Sequence, residues 1–193
     1  TQRARATLTG QIQDWSITLA PQHVLAWGSV GSVAPSSGAF DFHLASIQYR
    51  LEKGMVRVGR QEISFDDQRI IGALNWAQQA RAFDGVRYVQ EVADFVSVNL
   101  ATVYLKEAGP AADTVMVMGH AKLLDIPLSL LSVNEISPES PTHRETIGLH
   151  YELGGDGLVA HASAYYQLGV DRTAASQTIR AWMGSAGIGY KGG

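Results

Sequence analysis

Arginine dominates the basic residues of this sequence. Eleven of its 15 basic residues are Arg and four are Lys. The planar guanidinium binds a carboxylate through two parallel N–H donors, an arrangement that the ammonium group of Lys does not offer. This bias favours a protein that handles carboxylates or phosphates, with compositional drift as the plain alternative. Five arginines lie in one central stretch: Arg57, Arg60, Arg69, Arg81 and Arg87.

Other reactive groups are few and scattered. The 193 residues include no Cys, which excludes disulfides, thiol catalysis and Cys-ligated zinc. The six His residues lack metal-ligand spacing, and no nucleophile elbow, phosphate loop or spaced carboxylate pair is found. We therefore expect no enzyme, no cofactor and no metal. A net charge of -3 and a pI near 6.0 argue against a nucleic-acid partner.

Apolar residues recur at every second position, which is typical of strands with one dry and one wet face. Between residues 3 and 13 every odd position is polar and every even position is apolar or Gly. The pattern predicts about eleven strands and no helix of useful length, with at most a short helical turn within 73–82. The predicted strands are 2–13, 16–27, 40–51, 55–65, 80–90, 94–105, 114–124, 126–136, 144–153, 157–169 and 178–190.

The connections between these strands alternate strictly between short and long. Globular strands average about 5–6 residues, whereas a tilted membrane-spanning strand needs about 9–11. Trp15 and Trp27 bracket the second strand, as the two aromatic girdles of a membrane barrel would. We therefore predict an all-β, antiparallel up-and-down transmembrane β-barrel with tight periplasmic turns and longer outer loops. A soluble β-sandwich or lipocalin-like barrel is the alternative.

Two strands depart from regular alternation. In 40–51 the apolar positions change from even to odd midway, which predicts a β-bulge. Strand 126–136 is apolar on both faces, so its facing stays open.

Alternation also predicts where the central arginines point. Val56 and Val58 favour the lipid, which directs Arg57 into the lumen, because a charge at the membrane midplane costs several kcal/mol. Arg60 falls on the side of Val58, so it either lies near the interface or is turned inward by a bulge. In the following strand, Arg81 and Arg87 should point inward beside Gly85.

Nearby acids nearly balance these arginines. Asp84 and the loop acids Asp66 and Asp67 are the available partners, with Glu62 at the end of strand 55–65. Two interpretations follow: an internal ladder of salt bridges that stiffens the wall, or arginines that contact a solute. Both can hold together, because paired acids would keep arginine side chains extended.

The central segment resembles the alginate-export family of outer-membrane barrels. The resemblance rests on Val56-Arg57-Val58-Gly59-Arg60-Gln61, then Asp67-Gln68-Arg69-Ile70-Ile71-Gly72, then Trp76, and then Arg81-Ala82-Phe83-Asp84-Gly85. It is specific over 55–87 and looser over most of 1–105. Gln2-Arg3-Ala4-Arg5 and the run at 22–28 also look like that family's first hairpin.

The resemblance implies a large closed barrel with an Arg-lined constriction that passes an acidic polysaccharide outward. Eleven strands is an odd number, whereas single-chain bacterial barrels have even numbers. We therefore expect 1–193 to be one transmembrane β-barrel domain that is incomplete, the N-terminal portion of a larger barrel. Its open edges should not be stable alone.

The sequence thus predicts a passive channel of the bacterial outer membrane for an anionic solute such as alginate. The predicted solute contacts are Arg57, Arg60, Arg81, Arg87, Arg69 and Asp84. Expected partners are membrane lipid and lipopolysaccharide, an anionic oligo- or polysaccharide, and periplasmic export components. The alternative is a non-conducting barrel that serves as a structural or docking scaffold in an envelope complex.

Overall fold

The computed structural model describes residues 2–25, 39–77, 79–105, 114–137, 142–154, 157–171 and 177–191. Within these ranges every regular element is a β-strand, and all pairings are antiparallel. None of the described residues forms a helix long and apolar enough to cross a membrane. The chain divides into two compact units, residues 1–86 and 87–193.

The first unit is a meander that follows chain order. Its strands are β1 (Gln2–Arg5), β2 (Leu8–Ile12), β3 (Trp15–Leu25), β4 (Ala39–Leu51), β5 (Gly54–Gln61) and the start of β6 (Phe83–Ala93). Both β1 and β2 pair with β3, which pairs with β4, which pairs with β5.

The second unit continues the same up-and-down pattern from the remainder of β6. It contains β7 (Val96–Leu105), β8 (Thr114–Leu123), β9 (Leu128–Ile136), β10 (His143–Leu153), β11 (Gly157–Asp171) and β12 (Gln177–Lys191). Each strand pairs with the next one along the chain. The all-β, up-and-down prediction is confirmed.

Twelve strands are described where about eleven were predicted, because the predicted strand 2–13 is interrupted at residues 6–7. Arg5 pairs with Gln22 and Leu8 with Leu19, so the register is unchanged across the gap. Pro21, opposite the gap, has no N–H to donate to the ladder, and only its carbonyl is used, by the N–H of Ala6. The missing donor explains the break.

The predicted bulge in β4 is present. The register between β3 and β4 shifts between Ala20 and Pro21, where Leu44 and then Phe42 are the partners. His43 is therefore the extra residue on the bulged strand. After the bulge the exposed apolar positions are Ile47 and Tyr49, one place out of phase with simple continuation from Phe42.

Each unit has one exposed apolar face, which we call the outer face, and an opposite inner face. In the first unit Ile17, Ile47 and Val58 are consecutive register partners on the outer face, and all three are more than 40% exposed. Trp15 packs against Tyr49 on this face, with ring centroids 4.8 Å apart. Trp27, the other predicted girdle residue, lies outside the described residues. A face of exposed apolar side chains is what a lipid-facing wall requires.

The strand predicted over 55–65 ends at Gln61, and the described residues of the following segment, 62–82, lie outside the sheet. Within this segment Ile63, Phe65, Ile71 and Ala73 are at most 4% exposed. The Phe65 N–H donates to the Ile71 carbonyl, which closes the segment on itself. No helix forms among the described residues of 73–82. The next strand begins at Phe83 rather than at residue 80 as predicted.

Strand β9 settles the facing that the sequence left open. Ser129, Leu131 and Val133 are at most 4% exposed on the inner face, whereas Leu130 is 51% exposed on the outer face. The second unit therefore carries apolar residues on both sides of its sheet.

Candidate functional site

Arg57 lies on the inner face of β5, opposite Gln48 of β4. The side of the strand is the one predicted, since Val56 and Val58 fall on the opposite face. Its guanidinium donates from Nε to Gln48 Oε1 over 3.1 Å, and from Nη2 to the same oxygen. The partner is a neutral amide, and within the described residues no carboxylate pairs with Arg57. No negatively charged group among the described residues therefore contacts this half-buried arginine to neutralise its charge.

Arg60 is held in the opposite way, between two carboxylates. Its Nη1 lies 2.7 Å from Asp41 Oδ2, and its Nε lies 3.2 Å from Asp84 Oδ1. Nη1 also donates to the carbonyl of Phe42 over 3.2 Å. In the register Arg60 stands opposite Ala45. Two acids thus neutralise the arginine whose facing the sequence left open.

The neighbouring glycine allows β4 and β5 to approach closely beside this cluster. Gly59 has φ of +113°, a conformation that side-chain-bearing residues rarely adopt. A Cβ at this position would also run into the carbonyl oxygen of Ala45. The Gly-Arg-Gln stretch therefore has a structural reason for its glycine, independent of any role of the arginines.

A cleft of about 300 Å³ opens beside Arg60. It is bounded by β3 and β4 and by the extended stretch that precedes β6. Arg81 is exposed on this rim, and its backbone N–H donates to the Ala73 carbonyl over 2.6 Å. The lining residues are Gln22, Val24, Asp41, Phe42, His43, Arg60, Gln79, Ala80, Arg81 and Ala82. Of the predicted contact residues, Arg60 and Arg81 line this cleft.

A second polar cluster on the inner face centres on Glu62. The Glu62 Oε1 atom lies 2.6 Å from His43 Nε2 and 3.6 Å from Arg5 Nη1. Arg5 also donates from Nε to Gln22 Oε1 over 2.7 Å. His43, the bulged residue, is only 6% exposed.

Sequence reasoning did not assemble this cluster, because the change of phase in 40–51 predicts a bulge but does not identify His43 as the residue turned inward or Glu62 as its partner. One signal was present: apolar residues occupy even positions at Val56 and Val58 and odd positions at Ile63 and Phe65. That change of phase marks where the chain leaves the sheet.

The segment 62–82 is fastened to the inner face of the first strands. Arg3 Nη1 donates to the carbonyl of Ala77 over 3.1 Å, and Gln22 Nε2 donates to the carbonyl of Gln79 over 3.0 Å. Within the segment, Arg69 pairs with Asp67 over 2.6 Å in a tight turn. Arg69 therefore has its own acid, and it is not among the residues that line the cleft beside Arg60.

Arg87 lies on β6 in the second unit. Its Nε donates to Asn99 Oδ1 on β7 over 3.0 Å, and Asn99 is 8% exposed. Arg87 has further interactions besides this bond. Like Arg57, it is oriented by a side-chain amide.

The rest of the inner face of the second unit combines an apolar row with polar residues and the ion pair between Arg144 and Glu135. One register row runs Ala101, Met118 and Val133 across β7, β8 and β9, and all three residues are at most 3% exposed. Towards the other end of β10, His150 stands between Ser129 and Ser163. Among the described residues no cluster of three or more His, Cys, Asp or Glu side chains has the arrangement of a metal site.

Long antiparallel strands in chain order, an exposed apolar outer face and arginines on the inner face define the class as an outer-membrane β-barrel protein. Residues 35–100 match the alginate export family. This match confirms the predicted resemblance to that family over residues 35–100. No curated protein matches the chain.

The family is one of transport proteins rather than enzymes, and the match supports a role in alginate export. The matched range includes all six predicted contact residues. Five of them lie in the first unit, and Arg87 lies in the second. Family and fold together indicate an outer-membrane protein.

Proposed function

We propose that the protein forms a passive outer-membrane channel for an anionic solute. The expected solute is an acidic polysaccharide such as alginate, whose carboxylates match the paired N–H donors of arginine. No chemical step is required of the wall, which supplies positive potential and hydrogen-bond donors along the path.

The proposal is carried by one observation: Arg57 is oriented by an amide rather than by an acid. Gln48 fixes the guanidinium through two donors to one oxygen, and so holds it extended without neutralising it. Arg60, Arg69 and Arg144, in contrast, each lie within 3.2 Å of a carboxylate. A wall that only needed rigidity could use an ion pair at every one of these positions.

The predicted contacts then divide by role. Arg57 and Arg87, each held by an amide, are the proposed solute contacts. Arg81 on the rim of the cleft is a further contact near the longer connections, beside Arg60. Asp84 orients Arg60 and limits the local charge, and Arg69 stabilises its own turn.

The scaffold alternative has one observation in its favour. Segment 62–82 is fastened by hydrogen bonds to the inner face of β1 and β3, where it occupies space that a solute would use. A barrel whose lumen was filled in this manner would not conduct, and its arginines would serve the fold or a partner protein.

Planar-bilayer recording of the intact protein separates these functions. We expect discrete, anion-selective currents that alginate oligomers reduce. Replacing Arg57 and Arg87 with Ala should lower the anion-to-cation permeability ratio several-fold while the barrel still folds.

Gln48→Glu provides the matched variant, because it leaves Arg57 in place but adds a carboxylate next to its guanidinium. It should lower anion selectivity in the same direction. Arg69→Gln, which alters an already paired loop arginine, should leave selectivity unchanged. Conducting variants with wild-type selectivity would assign these arginines to the wall, and absent conductance with a tightly bound partner would favour the scaffold.

A further inference from the structure

The outer face of the second unit contains an apolar groove of about 580 Å³. Its floor follows one register row from β9 to β12: Leu130, Leu149, Ala164 and Gly184. The two small residues form a depression between taller side chains. Tyr166 and Trp182, which pair across β11 and β12, form one wall of it.

A polar row borders this wall of the groove. Two residues further along each strand, Glu145, Leu168 and Arg180 are consecutive register partners on the same outer face. Arg180 is exposed, and within the described part of the chain it makes no ion pair. Glu145 stands on the far side of Leu168, about 10 Å away at the usual strand spacing.

The order of these rows matches the depth profile of a lipid. Along the strands, the apolar floor is followed by the aromatic wall and then by the cation. Across a leaflet, the acyl chains are followed in the same order by the interface and the charged head group. The head-group end faces the connections after Ile136 and Asp171, which belong to the longer set. In bacterial barrels the longer connections lie outside, so the groove belongs to the outer leaflet.

We infer that this groove binds an acyl chain of a phosphorylated glycolipid of the lipid A type, with a phosphate on Arg180. The lipid A type is chosen because it occupies the outer leaflet of a bacterial outer membrane and combines several acyl chains with phosphate. The phosphate suits a guanidinium that has no acid partner in the described residues. The inference rests on the membrane placement of the sheet and not on the solute of the channel.

The test measures lipid retention and stability of the intact protein in detergent micelles. Bisphosphoryl lipid A is titrated against the protein, bound molecules are counted by native mass spectrometry, and the rise in Tm is followed. Phosphatidylglycerol serves as the rival phosphate-bearing lipid. We expect one lipid A molecule to be retained and to raise Tm, with phosphatidylglycerol at least fivefold weaker.

Two substitutions address the two parts of the site. Gly184→Leu should fill the floor, because a Cβ there meets no atom closer than 3.8 Å and the backbone need not move. Arg180→Gln removes the head-group cation. Each should weaken lipid A binding at least fivefold while the unliganded Tm stays near that of the wild type.

Matched controls exist at distant positions. Gly10→Leu adds the same side chain on the outer face of the first unit, at a glycine whose Cβ would meet nothing within 4 Å. Lys191→Gln removes a cation from the opposite end of β12. Neither should change lipid A binding. Equal binding by all variants, or phosphatidylglycerol binding as tight as lipid A, would overturn the inference.

Discussion

Arg57 and Met118 occupy comparable places in the two units, each on the inner face of a strand whose other face is exposed and apolar. Arg57 donates to an amide and keeps its charge, whereas Met118 lies between Ala101 and Val133 and is 1% exposed. The outer faces are alike because lipid imposes the same requirement on both. The inner faces differ: that of the first unit presents Arg57, and that of the second presents the apolar row of Ala101, Met118 and Val133.

The difference also separates two ways of stabilising a sheet. In the second unit, apolar inner side chains such as Leu131 and Val133 are buried at 2% exposure and contribute hydrophobic free energy. In the first unit, the inner face is polar and its buried apolar residues belong largely to segment 62–82. That unit relies on hydrogen bonds and ion pairs to keep its segment in place.

The largest effect is expected from a carboxylate placed at Met118, compared with a carboxylate placed beside Arg57. Met118→Glu buries an unpaired charge, which costs several kcal/mol or forces the group to be neutral. Gln48→Glu, in contrast, puts a carboxylate beside Arg57 and should fold as the wild type does. Retention of the folded, heat-modifiable band on unheated SDS gels measures both. Equal folding yields would show that the two inner faces do not differ in polarity.

A smaller but still large effect is expected at Gly59. Gly59→Ala must adopt a strained φ, at about 1–3 kcal/mol, in addition to the clash with the Ala45 carbonyl. Gly10→Ala is the matched control and should change stability by no more than about 0.5 kcal/mol, because its Cβ meets nothing within 4 Å. Urea unfolding of both variants in micelles gives the comparison. A Gly59→Ala protein as stable as the wild type would mean that β4 and β5 can separate at this point.

Most of the strand order could be predicted from alternation. Side chains of a strand point alternately to two faces, and the face in contact with lipid has to be apolar. Strand β11, for example, was predicted over 157–169 and spans Gly157–Asp171. The departures arise where tertiary structure decides. Pro21 interrupts the neighbouring strand rather than its own. Phe65 lies outside the sheet in a buried cluster, which a two-residue repeat of apolar positions does not predict.

For the candidate site, residue types were predictable and pairings were not. Alternation placed Arg57 on the inner face, and adjacency suggested Asp84 as a neutraliser of the central arginines. The partners Gln48 and Asp41 depend on the register between β4 and β5, and that register depends on the bulge at His43 and on Gly59. A one-residue shift would have exchanged the partners of every inner side chain.

The smallest effect is expected from Glu62, which connects the inner face of the first unit to the covering segment. Glu62→Gln keeps the shape of the side chain but removes its negative charge, which weakens the contacts to His43 and Arg5 by about 1 kcal/mol. Because this contact fastens segment 62–82 rather than the strands, global unfolding should barely change. Limited proteolysis within the segment should instead become several-fold faster. Glu52→Gln, in the turn between β4 and β5, is the control and should leave the cleavage rate unchanged. If both variants were cleaved at the wild-type rate, the segment would be held by its buried apolar residues alone, and the polar inner face of the first unit would be free to serve the solute.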